Sequence, residues 1–187
     1  MYAASASCYG NPKKLPASER TKIQILSPYG LTKWLAESLV MSWNEKHNFP
    51  SISLRFFNVY GPRSKNSGSY SAVINVFMKQ KLSRKPLTIV GDGSQTRNFI
   101  YVTDVVNAII KAADSKISGE IFNVGGKKSI EINRIAELMK AKKIHIPKRT
   151  GELKHSSANI NKIQKTLNWE PKISIEAGLN KLLNEFC

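Results

Sequence analysis

Hydrophobic and polar positions along the chain predict strands and helices that follow one another in turn. Short apolar runs rich in β-branched and aromatic residues predict buried strands, and apolar residues three or four apart predict helices. The predicted strands cover residues 1–4, 51–57, 87–90, 97–102, 120–124 and 144–147. The predicted helices cover residues 28–48, 72–82, 103–113, 132–141, 160–167 and 175–186, and Thr103 is expected to cap the third of them. This order favours an α/β fold with a parallel sheet.

Polar segments between these elements predict loops. Residues 11–26 contain two prolines, residues 64–71 are rich in glycine and serine, and residues 149–158 are mostly polar. We expect the second of these segments to be mobile. The first strand runs into a serine-rich stretch, Ser5–Gly10. In open α/β sheets, ligands bind at the carboxyl ends of the strands, so this stretch is a candidate binding region.

Composition is that of a globular protein in a reducing compartment. Of the 187 residues, 41% are hydrophobic and 22% are charged, which is ordinary for soluble proteins. No apolar stretch approaches the ~18 residues of a membrane span, and the sequence does not open with a secretory pattern. Cys8 and Cys187 lie far apart and have no metal-ligand spacing. We therefore expect a cytoplasmic protein without a membrane partner, a disulfide framework or a metal site.

The net charge of +16 raises the alternative of nucleic-acid binding, because lysines and arginines neutralise phosphates. The lysines, however, are scattered singly along the predicted helices, as at Lys111, Lys116 and Lys140. No arginine-rich arm, zinc finger or aromatic RNA-binding signature accompanies them. We expect no nucleic-acid partner. A basic surface also suits a small anionic substrate such as a nucleoside diphosphate.

A tyrosine and a lysine on the first predicted helix are the candidate catalytic groups. Tyr29 and Lys33 are four residues apart, so their side chains emerge on one face of the helix. Ser27 is expected to cap this helix, with Pro28 in its first turn. A phenol with a pKa of ~10 is a poor base at neutral pH, but a nearby ammonium group stabilises the phenolate. Such a tyrosine can remove a proton from a sugar hydroxyl and return it. The non-catalytic alternative is that the tyrosine and the lysine are merely an exposed pair on an ordinary amphipathic helix.

Several sequence blocks follow one another along essentially the whole chain. They are Ser5–Gly10, Ser27–Lys33, the L-R-x-F-N-x-Y-G-P-R segment at 54–63, and shorter blocks at 91–93, 96–99, 102–105, 122–125 and 167–171. In order and spacing they resemble the extended short-chain dehydrogenase/reductase family, the nucleotide-sugar epimerases and dehydratases. The resemblance favours a catalytic role of Tyr29 and Lys33 over the alternative of a non-catalytic surface pair.

The resemblance implies a fold and a division into domains. We expect the second half of a Rossmann-like, doubly wound parallel sheet, followed by a small mixed α/β region that binds substrate. Residues 1–63 would complete the NAD-binding domain and carry the catalytic helix. Residues 64–187 would belong mainly to the substrate-binding region, from which residues 96–124 return to pack on the first domain.

The resemblance also implies roles for individual residues toward NAD and the sugar. Ser5 matches the family's catalytic serine or threonine, which hydrogen-bonds the reacting hydroxyl. Tyr29 would be the acid/base. Lys33 would hold the nicotinamide ribose and lower the pKa of the tyrosine. Phe57 falls where the family contacts the nicotinamide end of NAD.

Four further residues match the family's contacts to a nucleotide-diphosphate sugar, most simply a UDP-sugar. Asn58 matches a residue that contacts the diphosphate, although it could instead be a turn residue. Arg97 and Arg149 match phosphate-binding arginines, and a planar guanidinium group suits that task better than an ammonium group. Glu152 stands where the family often has a ribose-binding acid. Arg149 and Glu152 could also be a simple surface pair.

Departures from the family pattern narrow the expected reaction. The 4,6-dehydratases carry an Asp-Glu pair where this chain has Ala6 and Ser7, and the uronate decarboxylases keep a glutamate in place of Ser7. The serine-rich version resembles the 4-epimerases, and residues 68–74 resemble the pocket of the UDP-N-acetylglucosamine branch. A uronate epimerase, a reductase, an enzyme acting on a GDP-sugar and a non-catalytic protein that binds a nucleotide-sugar remain alternatives.

The glycine-rich G-x-x-G-x-x-G turn that cradles the NAD pyrophosphate in this family does not occur in the sequence. We therefore expect a truncated product, a split gene or a fragment of a longer chain, which alone neither binds NAD tightly nor turns over. Family members often dimerise through the helix of the tyrosine–lysine pair. A homodimer through Trp34, Val40, Met41 and Trp43 is thus an expectation, although these residues could equally be core.

Overall fold

The computed structural model describes residues 1–64, 73–148, 151 and 153–186, in which strands and helices alternate as predicted. In chain order, the strands are β1 (Tyr2–Ser5), β2 (Ile52–Phe56), β3 (Asn58–Tyr60), β4 (Leu87–Val90), β5 (Thr96–Tyr101), β6 (Glu120–Val124), β7 (Ser129–Glu131) and β8 (Lys143–Ile146). The helices are α1 (Pro28–His47), α2 (Val73–Leu82), α3 (Val102–Asp114), α4 (Ile132–Leu138), α5 (Asn161–Leu167) and α6 (Ile175–Phe186). The predicted α/β class is confirmed.

Local details differ from the prediction at several element ends. A short 3-10 helix, Ala6–Tyr9, follows β1, and β3 and β7 are strands that the pattern did not indicate. Thr103 does not cap α3, because that helix already begins at Val102 and its cap position, Tyr101, makes no side-chain bond. Helix α4 ends at Leu138 because Lys140 adopts a left-handed backbone conformation with φ of 50°. The segment predicted to be mobile lies almost wholly outside the described residues.

Within the described ranges, the strands form three small sheets. Strands β1, β2 and β6 form a parallel sheet with β2 in the centre, and β2 brings Leu54 opposite both Ala3 and Phe122. Strand β5 pairs in parallel with β3 and antiparallel with β7, while β4 pairs in parallel with β8. The chain passes from the first sheet to the second within Phe57, so the carboxyl end of β2 leads directly into β3.

Two clusters of buried side chains hold these layers together. One lies around the first sheet and includes Leu54, Phe122 and Trp169. The other includes Phe77, Ile89 and Leu179, from α2, β4 and α6. The proposed domain boundary near residue 63 remains a prediction.

Helix α1 presents apolar side chains to solvent along one side. Leu31, Leu35, Leu39 and Trp43 follow one another at four-residue spacing and are 41 to 64% exposed. Trp34, by contrast, packs against the core beside the first sheet. Of the residues proposed as dimer contacts, Trp43 is therefore exposed and Trp34 partly buried. Dimerisation itself remains a prediction. Among the described helices, none is long and apolar enough to cross a membrane.

Candidate active site

The carboxyl end of β1 turns directly into the 3-10 helix, and Ser5 stands at this junction. The Ser5 hydroxyl oxygen accepts hydrogen bonds from the Ser7 backbone N–H at 3.2 Å and from the Ser7 hydroxyl at 3.0 Å. Gly10 ends the turn with φ of 58°, and a Cβ atom there would lie 2.1 Å from the Gln24 carbonyl oxygen. The tight turn therefore requires glycine. It keeps the serine hydroxyls at the edge of the sheet where ligands bind.

The first turn of α1 lies against this serine segment. Ser27 caps the helix as predicted, because its hydroxyl accepts a hydrogen bond from the Gly30 N–H at 3.0 Å. A Cβ atom on Gly30 would lie only 3.0 Å from the Ser7 carbonyl oxygen. This close approach brings Tyr29, whose side chain is 42% exposed, next to the serine segment. Helix geometry thus brings two of the predicted catalytic residues, Tyr29 and Ser5, into one region.

Lys33 lies one turn further along α1 and reaches β1. Its ammonium group donates a hydrogen bond to the Ala3 carbonyl oxygen at 3.0 Å and lies 5.4 Å from the centre of the Tyr2 ring. The Tyr2 hydroxyl in turn donates to the Lys33 carbonyl oxygen at 3.4 Å. Because an ammonium group has three N–H donors, Lys33 can bind other acceptors while it keeps the bond to Ala3.

A narrow cleft separates the serine segment from residues 153–157. Ala6, Tyr9 and Phe57 line one wall, and Leu153 and Ser156 line the other. Phe57 is only 8% exposed, and its ring stacks on Tyr9 with 6.3 Å between ring centres. The predicted cofactor contact is therefore largely a core residue that presents one edge to the cleft.

The predicted diphosphate contacts lie at the start of β3 and in β5. Asn58 is half-buried, and its side-chain amide donates to the Asn98 carbonyl oxygen at 3.0 Å, which ties β3 to β5. The Arg97 guanidinium group donates to the carbonyl oxygens of Thr96 at 2.9 Å and Lys154 at 3.4 Å. Arg97 therefore lies beside the segment that lines the cleft. Arg149, Glu152 and most of the segment 68–74 lie outside the described residues.

Sequence reasoning missed a buried ion pair beneath these residues. Glu37, one turn beyond Lys33 on α1, is 3% exposed, and Arg55 of β2 is 4% exposed. The Glu37 carboxylate accepts from Arg55 Nε at 3.0 and 3.1 Å, from Arg55 Nη2 at 2.5 Å and from the Ser53 hydroxyl at 2.7 Å. The available signal was a charged residue, Arg55, in a short strand whose other residues are apolar except Ser53, next to a helix that carries a carboxylate. The pair fixes α1 to the sheet.

The ion pair continues into a buried hydrogen-bond chain. Arg55 Nη1 donates to the Tyr9 hydroxyl at 2.8 Å, and that hydroxyl donates to Asn123 Oδ1 at 2.7 Å. Burial is the largest single effect on the pKa of Arg55 and acts to lower it, but the bonds to Glu37 and the interactions with Tyr9 and Cys8 together outweigh burial and raise the pKa. Burial raises the pKa of Tyr9, although the neighbouring Arg55 charge opposes it. Tyr9 is therefore a hydrogen-bonding residue here and a poor candidate for an acid/base.

The residues present fit only one end of an NAD molecule. Lys33 and the exposed Tyr29 offer donors that a nicotinamide ribose could use. At the other end, the sequence has no G-x-x-G-x-x-G turn to hold the pyrophosphate. Within the described ranges, no group of three or more His, Cys, Asp and Glu side chains is placed to hold a metal ion.

Comparisons with known proteins give one consistent family. The model of the NAD dependent epimerase/dehydratase family matches residues 1–125. A putative UDP-glucose 4-epimerase of Methanocaldococcus jannaschii is 34% identical over 191 residues, which cover 98% of this chain and 61% of the relative. A UDP-N-acetyl-alpha-D-glucosaminuronate decarboxylase of Bacillus cytotoxicus is 32% identical over 170 residues, which cover 84% of this chain and 52% of the relative.

A solved structure agrees with these relatives. The crystal structure of a UDP-glucuronic acid 4-epimerase from Bacillus cereus, in complex with UDP-glucuronic acid and NAD, is similar with a TM-score of 0.90 and 34% identity. The match covers 98% of this chain and 60% of that one. The likeness confirms the predicted Rossmann-like α/β fold. The chain spans between half and two thirds of the length of these proteins.

Proposed function

Because this chain belongs to the NAD-dependent epimerase/dehydratase family, we propose that it carries the acid–base and substrate-binding residues of a UDP-sugar 4-epimerase. The observation that supports this proposal best is the approach of Gly30 to Ser7, where an added Cβ atom would lie 3.0 Å from the Ser7 carbonyl oxygen. The first turn of α1, which carries the exposed Tyr29, therefore lies against the segment that begins at Ser5. We infer that the proton acceptor and the hydroxyl group that orients the substrate act on the same sugar.

In the proposed mechanism, three side chains orient the sugar, transfer the proton and hold the ribose. The Ser5 hydroxyl orients the 4-hydroxyl group of the sugar by a hydrogen bond. Tyr29 removes the proton from that hydroxyl and later returns it. Lys33, positioned by its bond to the Ala3 carbonyl oxygen, holds the nicotinamide ribose. NAD, when bound, supplies hydride transfer at the same sugar carbon. Phe57 would limit the space at the nicotinamide end.

The nucleotide would be bound by side chains on the other side of the cleft. Arg97 is half-buried beside Lys154, and its planar group suits the diphosphate. Asn58 would contact the same diphosphate from the start of β3. We propose Arg149 and Glu152 as further contacts to phosphate and ribose.

Position 7 favours epimerisation over decarboxylation. The family's uronate decarboxylases carry a glutamate there, whereas the Ser7 hydroxyl of this chain donates to Ser5. A UDP-glucuronate 4-epimerase is a second candidate, because the relative from Bacillus cereus, at 34% identity, was crystallised with UDP-glucuronic acid. A reductase of the same family, an epimerase that acts on a GDP-sugar and a non-catalytic protein that binds a nucleotide-sugar are the remaining alternatives. A cytoplasmic location and a homodimer through α1 also belong to this proposal.

Binding experiments with the 187-residue chain test the substrate half of the proposal. We expect UDP-glucose or UDP-glucuronate to bind in isothermal titration calorimetry, while NAD alone binds more weakly than micromolar. Arg97→Gln should weaken the binding of the UDP-sugar by about tenfold or more, because a charged hydrogen bond to phosphate is lost. Arg134→Gln removes an exposed arginine from α4 and is the matched control. Equal affinities for the two variants would argue against Arg97.

Activity is tested in a chimera, since the chain spans 61% of its relative from Methanocaldococcus jannaschii. The amino-terminal part of that relative is joined to this chain, and the products from UDP-glucose and UDP-glucuronate are separated by chromatography. Tyr29→Phe should lower turnover by about a hundredfold or more and leave the affinity for the UDP-sugar within about twofold. Unchanged turnover would refute the role of Tyr29. Binding of a UDP-sugar without any turnover of the chimera would support the non-catalytic alternative.

A further inference from the structure

The loop between the 3-10 helix and α1 encloses a basic groove outside the proposed active site. The groove has a volume of about 760 Å³ and is lined by residues 12–24. Four cations line it, Lys13, Lys14, Arg20 and Lys22, and all four are exposed. Pro12 also lines the cleft beside Tyr9 and Phe57, so the groove and that cleft adjoin at this residue.

The acidic residue of this loop does not neutralise the groove. Glu19 turns inward, where its carboxylate accepts the Asn123 backbone N–H at 2.8 Å. The salt bridges among the described residues involve none of the four groove cations. Four positive charges therefore face a single cavity, and among the described residues no carboxylate forms a salt bridge with them, which makes the local potential attractive to anions.

The groove is built on a fixed backbone. The Ala17 N–H donates to the Ser157 carbonyl oxygen at 2.8 Å, and the Gln24 N–H donates to the Cys8 carbonyl oxygen at 2.9 Å, so both sides of the loop are anchored. Between these anchors, the Ser18 N–H donates to the Thr21 hydroxyl at 2.9 Å. Binding of a ligand would therefore order little additional backbone, so the entropy loss that weakens binding to mobile segments should be small.

The chemistry of the lining selects the class of ligand. Among the described residues, no aromatic side chain lines the groove, whereas surfaces that bind single-stranded nucleic acid stack bases on aromatic rings. Lysine ammonium groups act as point charges, and Arg20 adds a planar group that can bind two phosphate oxygens at once. The volume is that of a small-molecule site. We propose that this groove binds a soluble ligand that carries two or more adjacent phosphate groups.

Calorimetric titration of tripolyphosphate into the 187-residue chain tests this assignment. With UDP-glucose in excess to occupy the proposed diphosphate contacts at Arg97, we expect one tripolyphosphate per chain, and weaker binding when NaCl rises from about 25 to about 250 mM, because salt screens exposed charges. The double variants Lys13→Ser/Lys14→Ser and Arg20→Ser/Lys22→Ser should each lose about tenfold or more in affinity. Lys142→Ser/Lys143→Ser removes two adjacent exposed lysines elsewhere and should stay within about twofold of the parent chain. Circular dichroism verifies that each variant is folded.

Other results would overturn the proposal. Absence of binding by the folded parent chain, or an equal loss in all three double variants, would mean that the net charge of +16 attracts anions without a site. Binding of a single-stranded oligonucleotide but not of tripolyphosphate would point to a nucleic-acid surface instead. The proposed epimerase role is tested separately, because Arg97→Gln should lower the affinity for the UDP-sugar, whereas the two groove variants should lower the affinity for tripolyphosphate measured with UDP-glucose in excess.

Discussion

The buried pair of Glu37 and Arg55 leads to a quantitative expectation for Arg55→Met. Methionine fills a similar volume but removes three N–H contacts, at 2.5 to 3.1 Å, from the Glu37 carboxylate. Glu37 is 3% exposed and cannot turn to water without movement of α1. Only the Ser53 hydroxyl, at 2.7 Å, would then stabilise its charge.

The cost follows from the uncompensated charge. Removal of one partner of a buried ion pair typically costs about 3–5 kcal/mol. For a chain of this length, each kcal/mol lowers the melting temperature by about 2–4 °C, so Arg55→Met should melt about 6–20 °C lower. The double variant Glu37→Leu/Arg55→Met removes both charges and takes one partner each from the Ser53 hydroxyl, the Tyr9 hydroxyl and the Glu19 carbonyl oxygen. It should recover most of the loss.

Urea unfolding followed by circular dichroism measures these free energies. The matched control is Lys127→Met, which removes a cation from a pair at 3.0 Å with both side chains more than half exposed. That change should cost at most about 1 kcal/mol. If Arg55→Met cost no more than Lys127→Met, or if the double variant were no more stable than the single one, the pair would not hold α1 as we infer.

Two other features give smaller effects. Ser27→Ala should reduce the free energy of unfolding by about 1 kcal/mol, because the Gly30 N–H loses its acceptor. Ser27→Asp keeps an acceptor and should be nearly neutral. Equal losses of the two variants in urea unfolding would contradict the capping role of Ser27. Burial raises the pKa of the Cys8 thiol from 9.0 to about 11. The protonated thiol therefore stabilises the fold fully below pH 9, and this contribution is lost as pH rises toward 11. Cys8→Ala should flatten the decline in melting temperature over that range, and an unchanged slope would refute the assignment.

The features that the sequence predicts correctly depend on neighbouring residues alone, and helix starts are an example. Ser27 followed by Pro28 is a helix start whatever surrounds it, and the bond from Gly30 to Ser27 agrees. Thr103 carried the same local signal, yet β5 continues into α3 so directly that the helix begins before it. The position of β5 in its sheet, and not the capping preference of Thr103, therefore determines where α3 begins. Tertiary contacts of this kind cannot be deduced from residue spacing.

The candidate active site likewise depends on tertiary contacts that residue spacing does not reveal. The four-residue spacing of Tyr29 and Lys33 predicts that they share a helix face, but it does not indicate that Lys33 bonds the Ala3 carbonyl oxygen, thirty residues earlier. Glu37 and Arg55 belong to different elements, and their pairing depends on how α1 packs on the sheet. Resemblance to a family could supply the roles of residues. It could not supply the partners that orient them.

Helix α1 joins these observations, because a polar stripe contacts the sheet beside the apolar packing of Trp34. Tyr29, Lys33 and Glu37 follow one another at four-residue spacing, and the last two bind the Ala3 carbonyl oxygen and Arg55. Leucines on another side are exposed, the reverse of an ordinary surface helix. One residue of a helix corresponds to a rotation of about 100°. A shift of α1 by one residue would therefore break both bonds and turn Tyr29 away from Ser5. The buried ion pair, two turns from Tyr29, thus fixes the register on which the proposed acid–base geometry depends.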